Sequence, residues 1–206
     1  MSRFRVALIV AAWCACVTIG LTAMLDYEMT PAPIAIPSGQ WPATSKLAHD
    51  PRRPTLLMFV HPHCPCSRAS LSEMNILASQ CGDRVAVQIV FVRPAGFDDG
   101  WEQTDLFATA QRIRGARVLC DRDGLEATRF GATASGETLL FSREGRLMFQ
   151  GGITPSRGHE GDNAGRATVT ALIESGKADS NRSPVFGCAL SNRCRPEEQS
   201  QALCRP

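Results

Sequence analysis

The clearest pattern of apolar and polar positions lies between Thr55 and Ala78. It opens with the apolar run LLMFV (56–60), which predicts a buried strand. It closes with apolar residues at helical spacing (71, 74, 77 and 78), which predict an amphipathic helix. The polar stretch HPHCPC separates the two. Cys64 is therefore predicted to lie where a strand ends and a helix begins, a place where free N–H groups and the helix dipole favour a thiolate.

The rest of the chain continues the alternation of apolar runs and helical patterns. Such alternation predicts a parallel sheet with right-handed crossovers, and a hairpin near the end makes one part antiparallel. We therefore expect an α/β fold, with a mixed β-sheet that carries helices on both faces. The further strands are expected at 85–92, 118–120, 138–141 and 147–149, and the further helices at 104–114, within 121–130 and at 167–175.

The N-terminal segment Val6–Leu25 carries no charged side chain, and its length of about 20 residues is sufficient to cross a bilayer. Arg3 and Arg5 precede it, so the positive-inside rule predicts a cytoplasmic N-terminus and a soluble domain on the other side. A cleaved signal peptide is the alternative, although Leu21-Thr22-Ala23 is a poor cleavage site. We expect one transmembrane helix in the inner membrane and a domain in the periplasm, or a secreted protein if the segment is cleaved.

Composition divides the chain into four parts. Residues 1–25 form the anchor or signal, and residues 26–54 contain six prolines, which predicts an extended spacer that holds the domain off a membrane. Residues 55–176 form the folded domain, and residues 177–206 form a polar tail that contains three cysteines.

Charge and cysteine content narrow the classes of function. A net charge of +2 does not favour a nucleic-acid binder. Nine cysteines favour an oxidising compartment, and their odd number leaves at least one thiol free or paired between chains. No C-x-x-C pair occurs in the sequence, so a structural zinc site is not expected. Neither a resident metal nor a cofactor is predicted.

The stretch FVHPHCPCSR, followed by VLCDRDGLEATRFGA and TLLFSREGRLMFQGG, resembles the thioredoxin superfamily. The pattern resembles most the membrane-anchored redoxins of RedB type and other extracytoplasmic thioredoxin-like proteins. The resemblance covers about residues 55–175. It implies a thioredoxin-like fold, and exchange with protein or small-molecule thiols and disulfides.

Two positions depart from this family's pattern. When the motif is aligned on Phe59 and Arg68, Cys64 falls on the nucleophilic cysteine and Ser67 on the resolving one, so C-x-x-C has become C-P-C-S. Gly136 stands where the family places a cis-proline opposite the active cysteine.

Several cysteines compete to be the partner of Cys64. Cys66 is nearest in sequence, although a C-x-C disulfide closes a small, strained and therefore oxidising ring. Cys120 ends a strand parallel to the first one, which places it at the same edge of the sheet. Cys188 follows an apolar turn (184–187) that can dock the tail on the domain. Cys194 and Cys204 can pair with each other or with Cys188, and the sequence does not choose.

Polar residues near the motif are candidates for tuning the thiol. His61 and His63 would favour a thiolate as imidazolium groups, accept its proton as neutral bases, or only pack. A polar, glycine-rich loop spans 151–166. It is either a binding loop or a surface loop that satisfies its own hydrogen bonds. Its candidate site residues are Arg157, His159, Asp162 and Asn163, of which the last two also suit the N-cap of the final helix.

The leading functional hypothesis is a membrane-anchored thiol–disulfide oxidoreductase with Cys64 as nucleophile and Cys66 as its first candidate partner. A peroxiredoxin-like thiol peroxidase is the first alternative. Its P-x-x-x-T-x-x-C motif would require proline and threonine where Leu57 and His61 stand. The second alternative is a metal-binding module, not an enzyme, that uses His61, His63, Cys64 and Cys66 to hold copper or zinc, with His159 as a candidate distal ligand.

Overall fold

The central feature of the fold is a five-stranded sheet with the strand order β3-β2-β1-β4-β5. Strands β1 to β3 are parallel, and β4 and β5 are antiparallel to their neighbours. The mixed sheet predicted from the sequence is therefore confirmed. The computed structural model describes residues 3–190. Within them the strands are β1 (Thr55–Val60), β2 (Ala86–Arg93), β3 (Ala116–Arg122), β4 (Glu137–Phe141) and β5 (Leu147–Gly151).

The helices follow the predicted order with shifted ends. They are α1 (Arg3–Met29), α2 (Ser67–Cys81), α3 (Asp105–Gln111), α4 (Leu125–Phe130) and α5 (Ala164–Ser175), and a 3₁₀ turn (Gly82–Arg84) follows α2. Helix α5 begins three residues before its expected start at 167. The reason is that the Asn163 side chain accepts a hydrogen bond from the N–H of Arg166 (2.8 Å) and so caps the helix earlier.

Strand β1 lies at the centre, and all six of its residues are buried. Its alternate side chains serve two cores. Leu56, Met58 and Val60 pack with the apolar faces of α2, α3 and α5, whereas Leu57 and Phe59 pack with α4 on the opposite face. Helices therefore cover both faces of the sheet, as predicted.

The proline-rich segment 30–54 differs from the expected free spacer. Trp41 packs edge-on against Phe130 and Phe141, with ring centroids 4.9 and 5.1 Å apart. The carbonyl of Gly39 accepts a hydrogen bond from the N–H of Leu147 (2.9 Å). Prolines remove donors but not carbonyl acceptors, and α4, with six residues, is too short to cover its face of the sheet alone. The segment therefore completes the second core.

Helix α1 is the one helix in the part of the chain that the structure describes that is long and apolar enough to cross a membrane. Its 27 residues extend about 40 Å, and none of its side chains is buried. A signal sequence near an N-terminus would meet the same criteria of length and composition.

One edge of the sheet gathers three segments that are distant in sequence. The carboxyl end of β1 leads into residues 61–66. Phe59 pairs with Glu137 in antiparallel register, so the loop 133–136 lies beside that turn. Residues 183–190 pack against the same loop.

Candidate active site

A tight turn positions Cys64 between β1 and α2. The N–H of Cys64 donates to the carbonyl of His61 (3.1 Å), and the N–H of Ser67 donates to the carbonyl of Cys64 (3.0 Å). Cys66 occupies the N-cap of α2 but its side chain makes no capping hydrogen bond. The predicted location of Cys64 at a strand-to-helix junction is confirmed. Its side chain is nearly inaccessible, however, with only 1% of the residue surface exposed.

The C-terminal segment brings a second thiol to Cys64. Ala189 forms an antiparallel bridge with Ala134, and the N–H of Ser135 donates to the carbonyl of Cys188 (2.7 Å). Val185 and Phe186 are buried beside this bridge. The Sγ atoms of Cys64 and Cys188 are consequently 2.8 Å apart, within hydrogen-bonding distance. The docking expected of the apolar turn at 184–187 thus takes place.

Two glycines permit this close approach. A Cβ atom on Gly187 would lie 1.8 Å from the carbonyl oxygen of Ser135, so only glycine fits there without a shift of backbone. Gly136 has a φ of +86°, and a Cβ on it would lie 2.6 Å from Oγ of Ser70. Among residues 3–190 no peptide bond is cis, so the loop 133–136 faces Cys64 without the isomer that the resembled family uses.

Two serines connect the turn to this loop. The hydroxyl of Ser135 accepts a hydrogen bond from the N–H of His61 (2.8 Å) and lies 2.6 Å from the hydroxyl of Ser67. Ser67, which stands where the resembled family has its resolving cysteine, also lowers the pKa of Cys64. Sequence reasoning missed Ser135, because no motif marks it and only the approach of the loop makes it part of the site.

The thiol groups of Cys64 and Cys188 are hydrogen-bonded to each other, and this contact shifts both of their pKa values. A hydrogen bond with Cys188 is the largest cause that lowers the pKa of Cys64, to about 4, and Ser67 and backbone N–H groups add to it against the effect of burial. The same hydrogen bond, followed by burial and the negative charge of Cys64, raises the pKa of Cys188. At neutral pH the pair therefore holds a thiolate at Cys64 and a thiol at Cys188.

Cys66 has a different environment. Burial is the largest cause that raises its pKa, and the charge of Cys64 adds to the effect, whereas Arg157 opposes it. Arg157 also favours the charged form of Cys188, so its positive charge acts on both Cys66 and Cys188. Its guanidinium donates to the carbonyl of Gly187 (2.9 Å), next to Cys188.

The other candidates in the 151–166 loop support the loop itself. The ring of His159 is hydrogen-bonded to the carbonyl of Arg157 (2.9 Å) and is exposed. Asp162 is exposed and pairs with Arg166 (2.7 Å), and Asn163 is the cap of α5 described above. Arg157 is thus the loop residue whose side chain contacts the Cys188 segment.

A buried acid that the sequence did not single out anchors this loop. Glu73 of α2 is fully buried, accepts a hydrogen bond from the N–H of Gly161 (2.7 Å), and pairs with Arg166 (3.1 Å). The position of Glu73 within the apolar pattern of α2 does not indicate that Gly161 and Arg166, far along the chain, are its partners.

The two histidines lie beside Trp101 and outside the group of close thiols. The His63 and Trp101 rings are 4.4 Å apart, and the His61 and Trp101 rings 5.4 Å apart. Burial lowers the pKa of His61, so its ring is neutral at pH 7 and does not act as a fixed positive charge beside Cys64. The predicted role of His61 as an imidazolium is therefore not supported by its environment.

Cys120 and Cys81 are not close to Cys64. Cys120 does lie at the predicted edge, but β3 is two strands from β1, about 10 Å across the sheet. Burial and Glu102 raise the pKa of Cys120 to about 11, which disfavours its thiolate. Cys81 is the last residue of α2, at the helix end far from Cys64. Cys194 and Cys204 lie outside the described residues.

Comparison with known proteins reveals likeness of fold. No protein-family model and no curated protein matches the sequence. A hypothetical protein of Sinorhizobium meliloti is 20% identical with a TM-score of 0.54, and the match covers 79% of this chain and 94% of that one. An uncharacterized conserved protein of Geobacillus kaustophilus is 17% identical with a TM-score of 0.55, covering 79% and 92%. A secreted disulfide oxidoreductase of Mycobacterium tuberculosis is 14% identical with a TM-score of 0.43, covering 61% and 82%.

The sheet order, the helices on both faces and the cysteine at the junction of β1 and α2 define the class of protein. The fold is thioredoxin-like, as the resemblance of residues 55–175 implied. The C-terminal segment of the chain lies against Cys64 at this junction.

Proposed function

We propose that this protein is a thiol–disulfide oxidoreductase in which Cys64 is the nucleophile and Cys188 is the resolving thiol. The observation that carries the proposal is the 2.8 Å separation between their sulfur atoms. A disulfide requires about 2.05 Å between sulfurs, so a small movement of the docked segment is enough to form it. Cys66 is the weaker candidate, because a C-x-C disulfide closes a small and strained ring.

The first step is attack by the Cys64 thiolate on one sulfur of a substrate disulfide. A bond forms between Cys64 Sγ and that sulfur, the substrate S–S bond breaks, and the other substrate sulfur leaves as a thiolate. The lowered pKa of Cys64 keeps it ionised at neutral pH. Substrate access requires the Cys188 segment to move, since Cys64 is almost completely covered.

The second step is attack by Cys188 on Cys64 Sγ. Before the first step, the bond to Cys64 and its charge hold the proton on Cys188. Once Cys64 is in a mixed disulfide, both of these causes disappear, whereas Arg157 remains to favour a Cys188 thiolate. Cys188 then loses its proton to water, and its thiolate forms a disulfide with Cys64. The mixed disulfide bond breaks, and the second substrate sulfur leaves as a thiolate that can take up a proton. Two electrons pass from the protein dithiol to the substrate disulfide, and an external thiol donor must return them.

The location that best suits this chemistry is the outer face of an inner membrane, with α1 as an anchor. The apolar length of α1, the two arginines before it and the nine cysteines of the chain support this proposal. The site would then lie near the bilayer. The guanidinium of Arg157 donates both to the carbonyl of Thr30, just past α1, and to that of Gly187 (3.0 and 2.9 Å).

Disulfide mapping of the oxidised protein by mass spectrometry tests the pairing directly. We expect a Cys64–Cys188 disulfide as the main product. A Cys64–Cys66 disulfide, or no disulfide at Cys64, would contradict the proposal.

Enzyme assays test the roles of the two thiols. Cys64→Ser should abolish reduction of insulin, and the Cys188→Ser variant should accumulate a mixed disulfide on Cys64. Cys120→Ser is the matched control, because its thiol lies about two strand spacings away, and it should react like the unmodified protein. Full activity of Cys64→Ser would refute the assignment of the nucleophile.

A further inference from the structure

Three sulfur atoms converge at this site, one more than thiol–disulfide exchange requires. The Sγ atoms of Cys64, Cys66 and Cys188 all lie within 4.8 Å of one another. Two come from the turn before α2, and the third comes from a segment that reaches the site 122 or more residues later in the chain. The exchange reaction described above uses Cys64 and Cys188 and leaves Cys66 without a role.

The three sulfurs have the spacing of a soft-metal site. A metal bound at about 2.3 Å to each of three sulfurs in a plane separates them by about 4 Å. The three sulfurs lie within 4.8 Å of one another, which is compatible with this value, and the Cys64–Cys188 pair, at 2.8 Å, has to open. Thiolate ligands select Cu(I) and zinc over harder ions.

The number of ligands favours Cu(I) over zinc. Structural zinc takes four protein ligands. Within the described range 3–190, no histidine, aspartate, glutamate or further cysteine joins the group of three. His61 and His63, the histidines nearest in sequence, contact Trp101 instead. A three-coordinate thiolate site suits the monovalent copper ion.

The surroundings suit such a site. Cys64 is 1% exposed, and Val185 and Phe186, which precede Cys188 in the chain, are buried as well. Three thiolates and one Cu(I) carry two negative charges, and the guanidinium of Arg157 lies next to this group. Burying a charged group costs free energy unless an opposite charge pairs with it, and Arg157 supplies that charge.

We propose that Cys64, Cys66 and Cys188 form a Cu(I)-binding site in the reduced protein. The site goes beyond the proposed exchange reaction and assigns Cys66 a role that this reaction lacks. A disulfide between Cys64 and Cys188 would leave Cys66 as the only free thiol of the three. The oxidised protein should therefore not bind the ion at this place.

The test uses the reduced full-length protein in detergent, kept free of oxygen. Cu(I) is titrated in competition with bicinchoninate, and X-ray absorption at the copper edge counts the sulfur ligands. To exclude other thiols, the same is done with a variant in which the six other cysteines are replaced: serine at 14, 16, 120, 194 and 204, and alanine at the buried Cys81. We expect one equivalent of Cu(I) with three sulfurs at about 2.3 Å.

Single substitutions in the same background assign the ligands. Cys66→Ser and Cys188→Ser should each weaken Cu(I) binding by at least about 100-fold, since loss of a ligand should cost no less than the 10- to 100-fold seen for residues that only support ligands. In the unmodified chain, Cu(I) should slow the alkylation of Cys64, Cys66 and Cys188 while Cys120 continues to react. This alkylation measurement still tests the proposal if the variant with six replaced cysteines does not fold.

Two sets of outcomes would overturn the copper site. The first is absence of stoichiometric binding, or binding that Cys66→Ser leaves unchanged. The second is a four-coordinate zinc complex that forms in preference to Cu(I). Reductase assays distinguish a failure of the copper proposal from a failure of the exchange proposal. Cys66→Ser should retain reductase turnover and lose Cu(I) binding. If the exchange proposal is wrong, the oxidised protein will lack the Cys64–Cys188 disulfide.

Discussion

Replacing Cys188 tests whether its hydrogen bond with Cys64 lowers the pKa of the Cys64 thiol. The hydrogen bond with Cys188 is the largest cause of the low pKa of Cys64, which is about 4. A hydrogen bond to a charged group contributes about 1.5–3 kcal/mol, and 1.36 kcal/mol corresponds to a pKa change of one. Cys188→Ala should therefore raise the pKa of Cys64 by about 1 to 2, to about 5–6.

The assay is the pH dependence of alkylation of Cys64 by iodoacetamide, followed on its own peptide by mass spectrometry. With a pKa of about 4, the unmodified protein at pH 5 should react at about 90% of its plateau rate. The Cys188→Ala variant should react at about 10–50% of its own plateau at the same pH. Its plateau should itself rise about three- to eightfold, because a more basic thiolate is the stronger nucleophile.

Two further variants separate the hydrogen bond from other effects. Cys188→Ser retains a donor, so it should give a midpoint between those of the unmodified protein and Cys188→Ala. Cys66→Ala should shift the midpoint less than Cys188→Ala does, because the hydrogen bond with Cys188 is the largest cause of the low pKa of Cys64. The reasoning is refuted if the midpoint of the unmodified protein lies near the ordinary value for cysteine, or if Cys188→Ala does not raise it.

Three other substitutions probe what holds the site together. Gly187→Ala places a Cβ 1.8 Å from the carbonyl oxygen of Ser135. It should therefore slow formation of the Cys64–Cys188 disulfide at least about tenfold and lower the free energy of unfolding in urea by about 1–3 kcal/mol. Gly39→Ala is the control, because the space around Gly39 is open, and it should have neither effect. Arg157→Ala removes a charge that favours ionised Cys188, so the mixed disulfide should persist longer in a quenched-flow assay at pH 7, and Arg157→Lys should restore part of the rate. Glu73→Ala leaves Arg166 without its buried partner and should lower the free energy of unfolding by about 3–5 kcal/mol. Replacing the exposed partner of Arg166, Asp162→Ala, should lower it by less than about 0.5 kcal/mol.

The order of strands and helices was predictable because it depends on local pattern. The apolar run at 56–60 and the helical spacing after Ser67 each persist over several residues, and they place Cys64 between them in any compact arrangement. Helix ends were less accurate, since capping contacts such as that of Asn163 with Arg166 decide them. The segment 26–54 was misjudged for a related reason: its prolines indicate irregular backbone, but whether that backbone packs depends on the uncovered face of the sheet.

The sequence by itself determined that this chain has a cysteine, Cys64, at a strand-to-helix junction of a thioredoxin-like sheet. Only the tertiary structure decided which thiol meets it. Cys66, Cys120 and Cys188 were all candidates, and distance along the chain favoured Cys66. The antiparallel bridge of Ala189 with Ala134, and the space left by Gly187, place Cys188 against Cys64 instead. Such a contact joins residues 124 positions apart. Because its geometry depends on backbone pairing between two loops, no pattern of neighbouring residues records it.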